Sequence, residues 1–205
     1  MRLLVATRNA GKLRELNELL GGLPMRCLSL DDMGLSDEVA ETGHSFLDNA
    51  LLKARGYARL SGLVTLADDS GLEVDALDGA PGVQSARWAG PQASDLDRIH
   101  LLLERLRGVP AERRGAQFHC VAAVATLDGV FQTTEGTIRG RIIDEPRGSH
   151  GFGYDPVFFI PELGQTMAEL APEVKNRISH RARALTAMRP SLAKLAEGEE
   201  VTDGR

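Results

Sequence analysis

The hydrophobic positions of this chain alternate between short continuous runs and runs with helical spacing. Residues 2–6 form an apolar run typical of a buried strand, and a polar turn over 7–12 follows it. Apolar residues with helical spacing come next: Leu13, Leu16, Leu19 and Leu20. Gly21-Gly22 ends that run. The chain therefore begins with a predicted strand–turn–helix unit.

The same alternation continues along the chain. Further strands are predicted over 25–30, 63–67 and 157–160, and helices over 45–61, from Ser94, and over 179–195. Residues 117–127 and 130–137 read as a hairpin around Asp128-Gly129. This order predicts an α/β fold with helices on both faces of a mixed sheet. We expect one domain over 1–205, with a frayed polar tail over about 197–205.

Composition narrows the class of protein. Apolar residues make up 42% and charged residues 26% of 205, which is ordinary for a soluble globular protein. No apolar run approaches the roughly 20 residues that span a bilayer, so we expect no membrane partner. Cys27 and Cys120 lie in apolar stretches, which favours buried, reduced thiols and a cytoplasmic protein.

The net charge of −5 limits the kinds of ligand that the chain is expected to bind. An acidic chain is a poor partner for a nucleic-acid polymer, because such binding depends on neutralising many phosphates. A small anionic ligand is compatible with this charge, since a few local cations and a helix N-terminus are enough to bind it.

Polar clusters follow three of the predicted strands, over 7–12, 68–71 and 148–155. Ligands of open α/β sheets usually sit at the carboxyl ends of strands. In the first cluster, Lys12 and the backbone N–H groups of a helix start favour an anion such as a triphosphate. The cluster lacks the spacing of a P-loop, and an ordinary turn is the alternative.

The second cluster contains adjacent carboxylates, Asp68 and Asp69. Their mutual repulsion favours a place where a cation or a proton-transfer task compensates, and magnesium prefers such oxygen ligands. A solvated turn is the alternative. Glu41 is a third candidate acid, or else a solvated loop residue or a partner of the helix dipole. Lys53 can reach a phosphate or pair with these acids, or lie exposed on its helix.

The third cluster places glycines around Phe152 and Tyr154 in a chain with only 4% aromatic residues. Their rings can stack on a nucleobase or belong to the core. Cationic side chains are dense over 175–181, where His180 and Arg181 can donate hydrogen bonds to a purine 6-oxo group or lie on the surface.

Seven motifs in this order resemble the noncanonical purine NTP pyrophosphatases, the inosine-triphosphatase-like house-cleaning enzymes. They are A-T-R-N-A-G-K at 6–12, E-T-G-x-S-F-x-x-N-A-x-x-K-A at 41–54, A-D-D-S-G-L at 67–72, G-A-P-G-V at 79–83, S-A-R at 85–87, G-F-G-Y-D-P at 151–156 and S-H-R at 179–181. The resemblance covers nearly the whole chain, and its specificity comes from the series rather than from any single motif.

The resemblance implies a homodimer of elongated mixed-sheet subunits, each with two lobes and a central cleft. It implies hydrolysis of ITP, dITP and XTP to the monophosphate and pyrophosphate, with Mg²⁺. Glu41 and Asp69 would hold the metal with Asp68 nearby, and Asp69 would also be the general base.

The resemblance also implies the substrate contacts. Those to phosphate or sugar would be Thr7, Arg8, Asn9, Ala10, Gly11, Lys12, Lys53, Ser70 and Lys175. Those to the base would be Phe152, Gly153, Tyr154, Asp155, His180 and Arg181. One departure is visible, because family members often carry an acidic residue where this chain has Ala40. A pyrophosphatase for pyrimidine or methylated nucleotides and a non-catalytic nucleotide-binding module are the rival interpretations.

Overall fold

The computed structural model describes residues 1–198, and its strands form one mixed sheet. The strands are β1 (Arg2–Val5), β2 (Arg26–Ser29), β3 (Val64–Val74), β4 (Gly115–Thr126), β5 (Gly129–Ile142), β6 (Phe158–Ile160) and β7 (Gln165–Thr166). Their order across the sheet is β2-β1-β3-β4-β5-β6-β7. β1 runs parallel to β2 and β3, whereas β6 is antiparallel to β5 and β7. The predicted mixed α/β fold is confirmed.

The helices alternate with these strands in the first half of the chain. They are α1 (Ala10–Leu20), α2 (Phe46–Ser61), α3 (Asp95–Arg105), α4 (Pro172–Ile178) and α5 (His180–Glu197). Among residues 1–198, none of the helices is long and apolar enough to cross a membrane. Both cysteines are free thiols, and Cys120 is buried while Cys27 is half-buried.

The prediction that the third strand ends at Ala67 was wrong. β3 continues to Val74, so Asp68 and Asp69 lie within a strand. The strand continues because it also neighbours β4 and does not depend on β1 for its pairing. The last residue of β3 that pairs with β1 is Leu66. The two acids therefore still follow the carboxyl end of the parallel strands, as the sequence indicated.

The sequence also missed α4. Pro172 opens that helix, and Ser179 follows it in an extended conformation before α5 begins at His180. Four of the seven residues of α4 are polar or charged, so its apolar periodicity is weak. The tail predicted over 197–205 begins at the last residue of α5, and positions 199–205 lie outside the described residues.

The chain divides into two compact units, each with its own core. Unit 1 comprises residues 1–69, 120–136 and the described residues from Arg181 onward, and its core includes Leu3, Leu16, Leu66 and Leu185. Unit 2 comprises 70–119 and 137–180, and its core includes Leu72, Leu102, Phe118 and Phe158. The single two-lobed domain stays a prediction.

The position where α2 begins is fixed by two hydrogen bonds between Ser45 and Asp48. The Ser45 hydroxyl accepts a hydrogen bond from the Asp48 N–H at 3.1 Å, and the Asp48 carboxylate accepts one from the Ser45 N–H at 3.2 Å. This reciprocal capping box satisfies two N–H groups that the helix itself cannot bond. It sets the register of α2, which carries Asn49 and Lys53 into unit 1.

We expect Ser45→Ala to lower the free energy of unfolding by about 1 kcal/mol, since it removes the acceptor for the Asp48 N–H. Urea unfolding followed by far-UV circular dichroism measures the change. Ser36→Ala, at an exposed position outside any helix, is the matched control and should leave the midpoint unchanged. Equal midpoints for the two variants would contradict the capping role.

Candidate active site

Alternation along β3 sends Asp68 and Asp69 to different partners in unit 1. Successive side chains of a strand point to opposite faces of the sheet. Asp68 meets Lys12 and Arg181, whereas Asp69 meets Asn49 and Lys53. The two carboxylates are thus neighbours in sequence with different hydrogen-bond and ion-pair partners, and these cationic and amide partners offset the repulsion expected between adjacent acids.

The carboxylate of Asp68 is held in its ionised form by its cationic neighbours. Its Oδ2 lies 3.1 Å from Lys12 Nζ and 3.2 Å from both Nε and Nη2 of Arg181. Burial opposes its charge more than any single neighbour favours it. The combined attraction of Lys12, Arg181 and Lys53 nevertheless holds the pKa of Asp68 far below its ordinary value. Its other oxygen, Oδ1, is buried without a hydrogen-bond partner among the described residues.

Asp69 has the opposite tendency. Asn49 Nδ2 donates to its Oδ2 at 3.0 Å, and Lys53 Nζ lies 3.7 Å from its Oδ1. Burial raises the pKa of Asp69, and the charges of Lys53 and Lys12 only partly oppose that rise. A carboxylate with a raised pKa is a better proton acceptor than an ordinary surface acid.

Lys53 joins Asp69 to Glu41. Its Nζ lies 3.3 Å from Glu41 Oε2, so one ammonium stands between two carboxylates from different parts of the chain. Burial alone would lower the pKa of Lys53, but the charges of Asp69, Asp68 and Glu41 raise it above the ordinary value. The structure therefore brings together three predicted site residues, and Lys53 is paired rather than exposed.

The segment that carries Glu41 is held at two points. Arg8 Nη2 donates to the carbonyl oxygens of Leu35, Ser36 and Asp37 at 2.9–3.0 Å. The Tyr57 hydroxyl on α2 donates to the Asp37 carbonyl at 3.3 Å. Arg8 was expected to contact phosphate, and its observed contacts are with this segment.

The predicted phosphate cradle forms the start of α1. Asn9 is its N-cap, and the Asn9 side chain accepts a hydrogen bond from the Lys12 N–H at 2.9 Å. The Thr7 hydroxyl accepts one from the Asn9 N–H at 3.2 Å. Ala10 and Gly11 lie in the first turn, which holds no acidic residue. A helix start of this kind favours an anion.

A second group of predicted residues meets in unit 2. Asp155 and Lys175 form a buried ion pair, and Asp155 Oδ2 also accepts a hydrogen bond from the Phe152 N–H at 2.9 Å. The Lys175 ammonium lies 5.0 Å from the centre of the half-buried Phe152 ring. Lys175, expected at phosphate or sugar, is thus placed beside the aromatic loop.

Two neighbours hold the rest of this loop, and the sequence missed both. Asp95, at the start of α3, accepts a hydrogen bond from the Gly153 N–H at 2.7 Å. The carbonyl of Ser85 accepts one from the Tyr154 hydroxyl at 3.0 Å. Tyr154 is buried in the core of unit 2, as the alternative to base stacking proposed. The only signal for Ser85 was the S-A-R motif at 85–87.

His180 and Arg181 are adjacent in sequence but have different surroundings. His180 stacks on Phe118 with ring centres 4.8 Å apart, within unit 2. Arg181 belongs to unit 1, where it binds Asp68 and Glu15 and is 1% exposed. Ser70 is a half-buried residue of β3 directly after Asp69.

The chain belongs to the Ham1 family, whose model matches residues 3–191. The resemblance predicted from the motifs is therefore confirmed.

Relatives named dITP/XTP pyrophosphatase are similar to the chain over almost their whole length. The chain is 53% identical to the dITP/XTP pyrophosphatase of Geobacter sulfurreducens, over 93% of this chain and 96% of the relative. It is 49% identical to the dITP/XTP pyrophosphatase of Geobacillus kaustophilus, over 98% of each. A HAM1 protein structure from Coxiella burnetii matches with a TM-score of 0.85 and 42% identity, over 95% of this chain and 99% of that one.

The lack of a side chain at Gly151 leaves room for the Asp155–Lys175 ion pair. Gly151 has φ +77°, and a Cβ there would lie 2.0 Å from Asp155 Oδ2 and 2.9 Å from Lys175 Nζ. Gly164 has a similar φ of +66°, but a Cβ there would meet nothing within 4 Å. Backbone strain is therefore common to alanine at both positions, and the collision is confined to 151.

We expect Gly151→Ala to destabilise the protein by about 1–3 kcal/mol more than Gly164→Ala does, because added atoms must displace a buried ion pair. Thermal and urea unfolding of the two variants measure the difference. Equal destabilisation would mean that the loop accommodates a side chain beside Asp155.

Proposed function

We propose that this protein hydrolyses dITP, ITP and XTP to the corresponding monophosphate and pyrophosphate, and so removes these nucleotides from the cellular pool. Support comes from its membership of the Ham1 family and from its identity of about half with dITP/XTP pyrophosphatases over nearly their full length. The proposed hydrolysis rests on one observation: Asp69 is a buried carboxylate with a raised pKa, and it lies beside Lys53, which also pairs with Glu41.

We propose Mg²⁺ as the cofactor, because the donor chemistry of unit 1 fits it. Magnesium is usually held by one or two carboxylates together with substrate phosphates and water. Glu41 and Asp69 offer two such carboxylates beside Lys53. In residues 1–198, no group of three or more His, Cys, Asp or Glu side chains has the arrangement of an all-protein metal cage.

Glu41 and Asp69 would hold this ion, with Asp68 nearby. When bound, it would offset the charge that develops on the phosphates during the reaction.

The side chains of unit 1 suggest how they act on the triphosphate. Lys12 and the first turn of α1 would bind the phosphate groups, because a cation there adds to the partial positive charge of the helix start. Lys53 would contribute a second cation. Asn49 donates to Asp69 Oδ2 and so fixes the plane of that carboxylate.

Asp69 would accept a proton from the attacking water. The water oxygen forms a bond to the α-phosphorus while the bond from that phosphorus to the bridging oxygen breaks, and pyrophosphate leaves. The cationic side chains offset the charge on the leaving group, which is often the largest catalytic effect.

Base selection would rest on hydrogen-bond donors facing the 6-position of the purine. A 6-oxo group accepts from such donors, whereas the 6-amino group of adenine would leave them unpaired. His180 and Arg181 are the residues we propose for this contact, with Phe152 stacking on the base. Gly153, Tyr154 and Asp155 complete the loop.

We further propose a cytoplasmic homodimer that acts on free nucleotides rather than on a nucleic-acid polymer. The net charge of −5 supports action on free nucleotides, because binding a polymer would need many neutralising cations. Light scattering coupled to size exclusion tests the homodimer.

We expect Asp69→Asn to bind ITP and lose turnover by about 10²–10⁴-fold, because the amide cannot accept the proton. Pyrophosphate release measures turnover, and calorimetry measures binding. Asp128→Asn, in the exposed hairpin turn, is the matched control and should retain full activity. Near-normal turnover of the Asp69 variant would remove it as the base.

A substrate panel tests the proposed specificity. We expect pyrophosphate and monophosphate from ITP, dITP and XTP, with kcat/KM at least about tenfold lower for ATP and GTP. The 6-amino group of ATP leaves buried donors unpaired, whereas rejection of GTP requires crowding at its 2-amino group or the lack of an acceptor for it. Equal cleavage of ATP, or preference for a pyrimidine or methylated nucleotide, would overturn this specificity. Binding without any turnover would favour a nucleotide-binding module.

A further inference from the structure

Four side chains of alternating charge form a series of ion pairs in unit 1, in the order Lys12, Asp68, Arg181 and Glu15. Lys12 and Glu15 come from α1, Asp68 from β3 and Arg181 from the start of α5. Lys12 Nζ and two nitrogens of Arg181 bind Asp68 Oδ2, while Arg181 Nη1 binds Glu15 Oε2. Lys12 and Glu15 are three residues apart on α1, so they lie on the same side of the helix.

Three of these four side chains are shielded from water. Arg181 and Asp68 are each 1% exposed, and Glu15 is 7% exposed. Charges removed from water in this way are retained only when they are paired, and removing one partner leaves another buried charge uncompensated. Replacing a buried ion pair by apolar residues is often neutral for stability, so stability alone does not explain why a charge lies at position 15.

The geometry of the guanidinium indicates what Glu15 does. Arginine presents its N–H donors in a rigid plane. Glu15 holds Nη1, at one end of that plane, and Nε and Nη2 both reach Asp68 Oδ2 at 3.2 Å. Fixing Nη1 therefore fixes the plane that locates the Asp68 carboxylate. The same oxygen of Asp68 locates the Lys12 ammonium at 3.1 Å.

We infer that Glu15 is a positioning residue, which acts through Arg181 and Asp68 to hold the Lys12 ammonium where it meets the leaving pyrophosphate. This role rests on the proposed function, because Lys12 has that task only if the chain cleaves nucleoside triphosphates. It also gives Arg181 a task distinct from reading the base.

Glu15→Gln tests the inference, since it keeps the shape of the side chain and removes the charge. We expect kcat for ITP to fall by about 10- to 100-fold, an effect of the size known for residues that orient the ligands of a metal site. KM should change less, because a displaced Lys12 affects the transition state more than the bound substrate. Glu18→Gln, at an exposed position of the same helix, is the matched control and should behave as wild type.

A double-mutant cycle separates positioning from general stability. If Glu15 acts through Lys12, Glu15→Gln should cause little further loss of kcat in a Lys12→Ala background. Purely structural damage would instead multiply the two losses. ITP, dITP and XTP should be affected alike, because Lys12 meets the phosphates that they share. A selective change in base preference would overturn the inference.

A second variant tests the inference in case Glu15→Gln folds poorly. Glu15→Asp keeps the charge and withdraws the carboxylate by one methylene, so it tests geometry while the four side chains together stay neutral. We expect a smaller fall in kcat that is likewise lost in the Lys12→Ala background. Wild-type kcat in either folded variant would refute the inference. Absence of turnover in the wild-type protein would instead refute the proposed function.

Discussion

The alternation of side chains along β3 is the constraint on which the candidate site depends. Asp68 and Asp69 leave the strand on opposite faces, so the side chains in direct contact with each carboxylate differ. Asp68 is surrounded by cations that keep it ionised, whereas burial dominates at Asp69 and raises its pKa. One dipeptide thereby supplies a permanent anion and a carboxylate suited to proton transfer, a division of roles set by environment.

The permanent anion organises its face of the strand. Asp68 accepts contacts from α1 through Lys12 and from α5 through Arg181, so three elements distant in sequence meet at one oxygen. On the other face, Asn49 and Lys53 reach Asp69 from successive turns of α2. The position of α2 along its axis therefore matters directly to the chemistry, and the capping box at Ser45 fixes where that helix starts.

Local patterns in the sequence located much of this arrangement. The apolar run before Asp68 and the helical spacing after Lys12 placed both at the carboxyl end of parallel strands, and the structure agrees. The pairing of Lys53 with Asp69 was one of its predicted alternatives and is observed. Such predictions succeed because neighbouring residues and regular periods determine the local geometry. The roles assigned to these residues stay predictions.

Other features depend on partners distant in sequence. Glu15 and Arg181 are 166 positions apart, and nothing near Glu15 distinguishes it from an ordinary helix-surface acid. The continuation of β3 beyond Ala67 depends on the neighbouring strand β4. Tyr154 and Phe152 share one glycine-rich loop, yet Tyr154 is buried and Phe152 is half-buried. Tertiary packing decides between such alternatives, and a single sequence does not contain it in readable form.

The two attachments of the segment before Glu41 have a consequence for how its length can vary. Arg8 and Tyr57 hold the backbone at Asp37, and only three residues separate that point from Glu41. An inserted residue between them would shift the carboxylate away from Lys53. Insertions near Gly34 fall before these attachments and could be absorbed as a longer exposed turn. Differences in loop length among related chains should therefore occur in the first half of this segment and not in the second.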